Sequence, residues 1–256
     1  MAQKGHSEDS GHRSLIDPEA EVAEDVELGE GVIIGPEVVI KEGTFISSGV
    51  EIRGDTYIGC NNYIDRGVLM GFQPQHLGYD DERTRLIIGN NNYIGTRATL
   101  HRGTEERGMT KIGDGNHLGT CVHIAHDCLL ADNIRMEEFT QLGGHVEIGS
   151  HSQIGALTGI HQFVRLGSGS QVEPQAKVNQ DVPPYLKAGG HPARLKGPGN
   201  CPDSEVKLQI ARAFELLCRS DLNVSQAAKE IEANLDGAEI TEFLTFLDSS
   251  DRGICR

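Results

Sequence analysis

From residue 16 to residue 178 an aliphatic side chain returns at every sixth position. The first run is Ile16, Val22, Leu28, Ile34, Ile40, Ile46, Ile52, Ile58, Ile64 and Met70. The pattern resumes at Ile88, Ile94 and Leu100. It resumes again at Ile112 and continues through Leu118, Ile124, Leu130, Met136, Leu142, Ile148, Ile154, Ile160, Leu166 and Val172 to Val178. Neither the 3.6 period of a helix nor the alternation of a long strand explains a period of six. It predicts a parallel β-helix, in which each hexad supplies a short strand and a turn and three hexads close one coil. The recurring aliphatic points inward and stacks on its counterpart in the next coil. Burying each one contributes roughly 1.5–3 kcal/mol, which offsets the cost of ordering so long a chain. Gly directly follows twelve of these aliphatics, and is expected to relieve backbone strain at the corners.

The period lapses twice, at 71–87 and at 103–111. Treated as insertions that keep the three-sided register, these segments add twelve and six residues. Met70, Leu100, Ile124, Leu142 and Ile160 then share one face, and both loops leave from its edge. Beyond residue 190 the spacing changes to a helical one, with Val206, Ile210, Phe214 and Leu217, then Ala227, Ile231 and Leu235, then Ile240, Phe243 and Phe246. Asp203 and Ser204 suit a helix N-cap. The chain therefore divides into a polar tail (1–13, expected to be flexible), a β-helix (14–190), and a linker with a small helical domain (191–256).

Composition narrows the function. The formal net charge is −15, and no basic block exists to neutralise phosphates, which argues against nucleic acid as a partner. No apolar run approaches membrane-spanning length, and the first residues do not read as a signal peptide. The six cysteines form no CxxC pair. Reduced thiols and a cytoplasmic location are expected.

The same edge that releases the loops gathers the titratable residues. His101, Ala125, Gly143 and His161 align as the second residue of the hexad. Arg102, His126, Gly144 and Gln162 align as the third, and Asp127 and His145 as the fourth. His123 stands just before the corner. At about 4.8 Å per coil, His126, His145 and His161 fall within roughly 10 Å of one another. An imidazole suits proton transfer near neutral pH. Asp127 is a candidate to hold one ring nitrogen of His126, and the N–H of Gly144, one coil on, is a candidate oxyanion donor. A base beside such a donor, with no Ser or Cys nucleophile in line, points to direct acyl transfer to a hydroxyl or amine. Three histidines across coils also suit zinc with a bound water, so a hydratase of the β-helix carbonic anhydrase type stays open.

The stretches "LHRGT" (100–104), "HIAHDC" (123–128), "GGHV" (143–146), "IHQF" (160–163), "QDVPPY" (180–185) and the terminal "RGICR" resemble the UDP-N-acetylglucosamine acyltransferases that begin lipid A biosynthesis. The resemblance runs from about residue 14 to 256. It implies a left-handed β-helix, a homotrimer with sites between subunits, and transfer of a 3-hydroxyacyl chain from acyl carrier protein to the 3-position of a UDP-sugar. No cofactor is implied beyond the phosphopantetheine of the carrier protein, and no metal. His126 corresponds to the general base, Asp127 to its neighbour and Gly144 to the oxyanion donor. Gln75, His101, His123, His145, His161, Gln162 and His191 correspond to substrate-binding positions.

Three departures stand out. His76-Leu77-Gly78 replaces an acidic and a basic contact after the loop glutamine. The segment 197–205, "GPGNCPDSE", replaces a basic stretch that helps hold the UDP phosphates. Pro174 lies where the family tunes acyl-chain length. A shifted acceptor, such as a 3-amino sugar, is the first alternative, and Arg102, Arg194 and Lys196 are candidates to hold the nucleotide instead. An acidic carrier protein would meet an acidic chain, so a local basic patch is required, for which Arg165, Lys187, Arg194, Lys196, Lys207, Arg212 and Arg219 are the candidates.

Overall fold

The computed structural model describes residues 14–256; the tail expected to be flexible, 1–13, lies outside the described residues. From β1 (Leu15–Ile16) to β25 (Lys177–Val178) the chain forms short strands, most of them two residues long. Successive strands fall in turn on three parallel sheets, and each hydrogen-bonds to the strand one coil later. This is the parallel β-helix that the hexads predict, with the left-handed sense that the family resemblance implies.

The three-sided register survives both insertions. In the first sheet Met70 pairs with Leu100, Leu100 with Ile124, Ile124 with Leu142 and Leu142 with Ile160. Every aliphatic of the repeat from Ile34 onward is buried, whereas Ile16 in the first coil is 46% exposed. The loops are somewhat shorter than the lapses in the pattern, because the flanking strands extend to Leu69–Phe72, Arg85–Ile88 and Met109–Ile112.

The hexad glycines act differently from the expectation. Of the twelve that follow an aliphatic, only Gly71 has a positive φ. At ten of the other eleven a Cβ would come within 3.0 Å of an atom of the next coil, whereas at Gly35 the nearest atom is 3.5 Å away. A Cβ on Gly113 would lie 2.8 Å from the Ala131 carbonyl oxygen. The left-handed turn residue comes two places later, and it is often not glycine. Asp127, His145 and Phe163 all occupy this conformation, with φ of 62°, 61° and 64°.

The expected linker is partly a strand. β26 (Leu186–Gly190) joins the third sheet, and β27 (Ala193–Pro198) returns antiparallel to it. Three helices follow, α1 (Ser204–Cys218), α2 (Val224–Asn234) and α3 (Ala238–Asp248). Asp203 is the N-cap of α1, its carboxylate accepting from the N–H groups of Glu205 and Val206 at 2.9 Å. The C-terminal tail then turns back onto the coils. The N–H of Asp181 donates to Gly253, the N–H of Cys255 donates to Asp181, and Ser250 Oγ donates to the buried Asp181 carboxylate at 2.7 Å.

Candidate active site

The turn from the first sheet to the second recurs once per coil, and the unusual residues stack there. His126 follows the strand His123–Ile124, and Gly144 follows Gln141–Leu142. His126 Nδ1 lies 2.8 Å from Asp127 Oδ2. The left-handed backbone of Asp127 allows this, because it turns the carboxylate back toward its own neighbour. Both residues are buried, with Asp127 fully so.

The second loop closes around the carboxylate. Thr104 N–H donates to Asp127 Oδ1 at 2.9 Å, and Thr104 Oγ1 donates to Oδ2 at 2.7 Å. Asp127 N–H donates to Thr110 Oγ1 at 2.8 Å. His145 Nε2 lies 3.4 Å from Asp127 Oδ2 and 3.5 Å from Glu106 Oε2. Burial pushes the Asp127 carboxyl up, but hydrogen bonds from His126 and Thr104 and the charge of His145 outweigh it, and the net shift is downward. Asp127 is therefore an acceptor that fixes the His126 tautomer with Nδ1–H toward the carboxylate and Nε2 free.

His126 Nε2 is on the side of Gly144. A Cβ on Gly144 would stand 2.6 Å from His126 Cε1 and 2.7 Å from Nε2. Glycine here makes room for the imidazole. Among the described residues the Gly144 N–H has no hydrogen-bond acceptor, while the flanking turn groups, His145 N–H and the Gly144 carbonyl, are both paired.

The remaining predicted residues form two further groups. His101 and His123 meet edge to face, with ring centroids 5.3 Å apart. His101 Nδ1–H donates to the Gln73 carbonyl at 2.7 Å, and His123 Nδ1 bonds Thr99 Oγ1 at 2.7 Å. Burial pushes His101 down, and it pushes His123 down to about 4, so both rings are neutral at pH 7. Further along the edge, His161 Nδ1 lies 3.2 Å from an Arg252 guanidinium nitrogen. His161 and His191 share a cavity of about 550 Å³ with Gln141, Gly143, Gln175 and Lys177. Gln75 and Gln162 have exposed side chains, without a hydrogen bond from either among the described residues.

The structure adds residues that the sequence reading did not place. His76, beside Gln75, brings its ring to 5.4 Å from that of His126, edge to face. Thr104 and Glu106 come from the second loop, and Phe163 stacks on His145 at 4.5 Å. Thr104 lies in the "LHRGT" stretch, so its motif was visible although its hydrogen bonds were not.

The donor set bears on the zinc alternative. The grouped atoms are those of His126, Asp127 and His145. His123 is instead engaged with Thr99 and His101. Two histidines and a carboxylate already bonded by Thr104 and His126 are not the three open imidazoles that a hydratase site calls for.

Residues 181–255 match the family described as "Udp N-acetylglucosamine O-acyltransferase; Domain 2". An acyl-[acyl-carrier-protein]–UDP-N-acetylglucosamine O-acyltransferase of Burkholderia orbicola is 39% identical over 95% of this chain and 97% of its own. The chain belongs to the UDP-N-acetylglucosamine O-acyltransferase family. Solved acyltransferases of this family agree in fold as well as in sequence. The structure from Acinetobacter baumannii superposes with a TM-score of 0.91 at 37% identity, covering 95% of this chain and 98% of that one. The structure from Moraxella catarrhalis gives a TM-score of 0.90 at 33% identity, with the same coverage. The site described above is thus the candidate active site of an acyltransferase.

Six of the seven basic candidates for a carrier-protein surface lie on two neighbouring parts of the chain, with Lys187 paired to Glu173 and Arg219 to Glu215. Lys187, Arg194 and Lys196 lie on the β26–β27 hairpin. Lys207, Arg212 and Arg219 lie on or directly after α1, which packs against β27. All but Lys187 of these six are exposed. Arg165 stands apart on the second sheet, its guanidinium over the Phe246 ring of α3. Among the described residues, no helix is long and apolar enough to cross a membrane.

Proposed function

We propose that this acyltransferase moves a 3-hydroxyacyl chain from acyl carrier protein to the 3-position of UDP-N-acetylglucosamine, as the first step of lipid A biosynthesis, and works as a cytoplasmic homotrimer. The observation that carries the mechanism is the 2.8 Å bond from His126 Nδ1 to Asp127, which leaves Nε2 free on the side of Gly144. His126 Nε2 takes the proton of the acceptor hydroxyl as its oxygen attacks the thioester carbonyl carbon. Negative charge develops on the carbonyl oxygen and is met by the Gly144 N–H, a contact worth roughly 2.7–4 kcal/mol where such donors have been removed. The intermediate collapses, the carbon–sulfur bond breaks, and the imidazolium returns its proton to the leaving thiolate. Asp127 stabilises the imidazolium and holds its orientation. No metal or resident cofactor enters the step, since the acyl group arrives on the phosphopantetheine of its carrier. The exposed basic residues of the β26–β27 hairpin and α1 are the surface for that acidic partner.

A second acceptor is favoured by one observation. His76 stands over His126 where relatives carry an acidic contact, so the sugar meets an imidazole. One assay separates the readings. Purified protein is given 3-hydroxyacyl carrier proteins of several lengths, with UDP-N-acetylglucosamine beside its 3-amino analogue. Product from the hydroxyl sugar that disappears in His126→Ala supports the main reading. Product from the amino sugar alone moves the acceptor to nitrogen. No product from either, together with metal retained by the purified protein, returns the hydratase reading.

A further inference from the structure

The acyltransferase reading leaves a problem, because the resemblance implies a basic segment that helps hold a nucleotide diphosphate, and "GPGNCPDSE" at 197–205 stands in its place. The chain is strongly acidic, so a local concentration of unneutralised cations is unusual in it. One exists at the outer end of the site. The cavity of about 550 Å³ beside Gly143 is lined by His161, His191 and Lys177, and none of its lining residues is Asp or Glu. Arg252, from the C-terminal tail, reaches the same place, with a guanidinium nitrogen 3.2 Å from His161 Nδ1 and 3.1 Å from the Asn179 carbonyl oxygen. Among the described residues neither Lys177 nor Arg252 is within ion-pair distance of a carboxylate. The nearby Asp181 is fully buried and already accepts from Ser250 and from the Arg165 N–H.

The distance from the base is also suitable. Ile124 pairs with Leu142, and Leu142 with Ile160, so His161 stands two coils beyond His126. Two coils span roughly 10 Å. A diphosphate on a sugar whose 3-position meets His126 Nε2 has the reach to cover that distance.

We infer that Arg252, Lys177 and His161 form a phosphate subsite that takes over the role of the missing basic segment. Arg252 is the principal contact, since a guanidinium forms charge-assisted and often bidentate bonds to phosphate. Its bond to the Asn179 carbonyl fixes the guanidinium at the rim. Lys177 adds an exposed point charge. The subsite rests on the nucleotide-sugar reading, and its ligand is the diphosphate of the acceptor. The phosphate of phosphopantetheine has the same chemistry and is the other source to be distinguished.

The test is a titration of UDP and, separately, of phosphopantetheine into the wild-type protein and the variants Arg252→Gln, Arg252→Lys and Lys177→Gln, with acyl-transfer kinetics in parallel. Arg252→Gln is expected to weaken UDP by on the order of tenfold or more, and to raise KM for the UDP-sugar with little change in kcat. Arg252→Lys should recover part of the loss. Lys177→Gln, an exposed substitution that leaves the fold intact, should weaken UDP less and reduce the salt dependence of binding. Loss of phosphopantetheine binding with UDP unchanged would move the subsite to the donor and overturn the assignment. Binding of both within twofold of wild type in Arg252→Gln and Lys177→Gln would overturn the subsite altogether. Wild-type transfer to the UDP-sugar in the same experiment separates that result from a failure of the acyltransferase reading, which would show as no product from the wild-type protein.

Discussion

His126 and Asp127 are neighbours in the chain, yet their side chains are hydrogen-bonded at 2.8 Å across the buried side of a turn. The positive φ of Asp127 makes this possible. A carboxylate one residue away is normally directed elsewhere, so the left-handed turn is part of the proposed catalytic geometry. Asp127→Asn retains the shape but removes the charge that stabilises an imidazolium and fixes its tautomer. It is expected to lower kcat about 10²-fold or more, with KM for the sugar little changed. Steady-state kinetics, with circular dichroism to confirm the fold, checks this. Asp127→Asn turnover within threefold of wild type would remove Asp127 from the mechanism.

Gly144 bears on the base through space rather than through backbone strain. Its missing Cβ is the room that the His126 ring occupies. Gly144→Ala is expected to displace the imidazole and reduce kcat by about 10²-fold or more, a loss comparable with removal of an oxyanion donor, while the β-helix still forms. Gly113→Ala provides the contrast. Its Cβ would meet the Ala131 carbonyl oxygen, part of the next coil's backbone. That substitution should cost about 1–3 kcal/mol of stability by overpacking and leave the kcat of the folded fraction unchanged. Thermal unfolding and turnover, measured on both proteins, distinguish the two cases.

Much of this was readable from the period alone. An interval of six gives three faces, and treating each lapse as an insertion that keeps the three-sided register places Leu100 beside Ile124, as observed. The alignment of His126 with Gly144 and of Asp127 with His145 followed in the same way. What counting could not supply was anything decided inside the loops. His76 meets His126 because of how residues 73–84 fold back, and no period governs that path. The Thr104 bonds to Asp127 depend in the same way on the second loop. The role of the hexad glycines was misjudged for a different reason. Coil-to-coil clearance is a property of the stack, whereas the sequence reading considered a single turn. The strand Ala193–Pro198 escaped notice because Gly and Pro at its end resemble a linker.

His76 gives the acceptor side of the site a residue of its own. Its ring is edge-on to His126, and its side chain is exposed, so it is free to contact a bound sugar. His76→Ala is expected to raise KM for the acceptor by roughly three- to tenfold, the loss of one hydrogen bond, with a smaller effect on kcat. His76→Asp introduces the acidic group that the family resemblance implies at this place and should shift preference between the hydroxyl and amino sugars. Competition between the two acceptors in one reaction reads this directly. An unchanged product ratio in both variants would place His76 outside the acceptor contact.

His123 offers a test by pH. Burial pushes its pKa down from 6.5 to about 4, with the neighbouring His101 adding to the effect. The ring is neutral in the folded protein over a range in which the unfolded chain binds a proton. Between pH 6.5 and about 4 the unfolded state therefore holds more protons at this residue, and stability contributed here is lost as pH falls. It is fully present above 6.5, the unfolded value. His123→Gln keeps a partner for Thr99 Oγ1 and removes the titration. The wild-type protein should lose Tm more steeply than the variant between pH 6.5 and 4, with the two curves running parallel above pH 7. The carboxylates that also titrate in this range are common to both proteins and cancel in the difference. A direct measurement is the ring-proton chemical shift of His123, which should titrate near pH 4. Titration near 6.5 would mean that the ring is solvated, and the His101–His123 pair would then be an open surface instead of a neutral wall of the site.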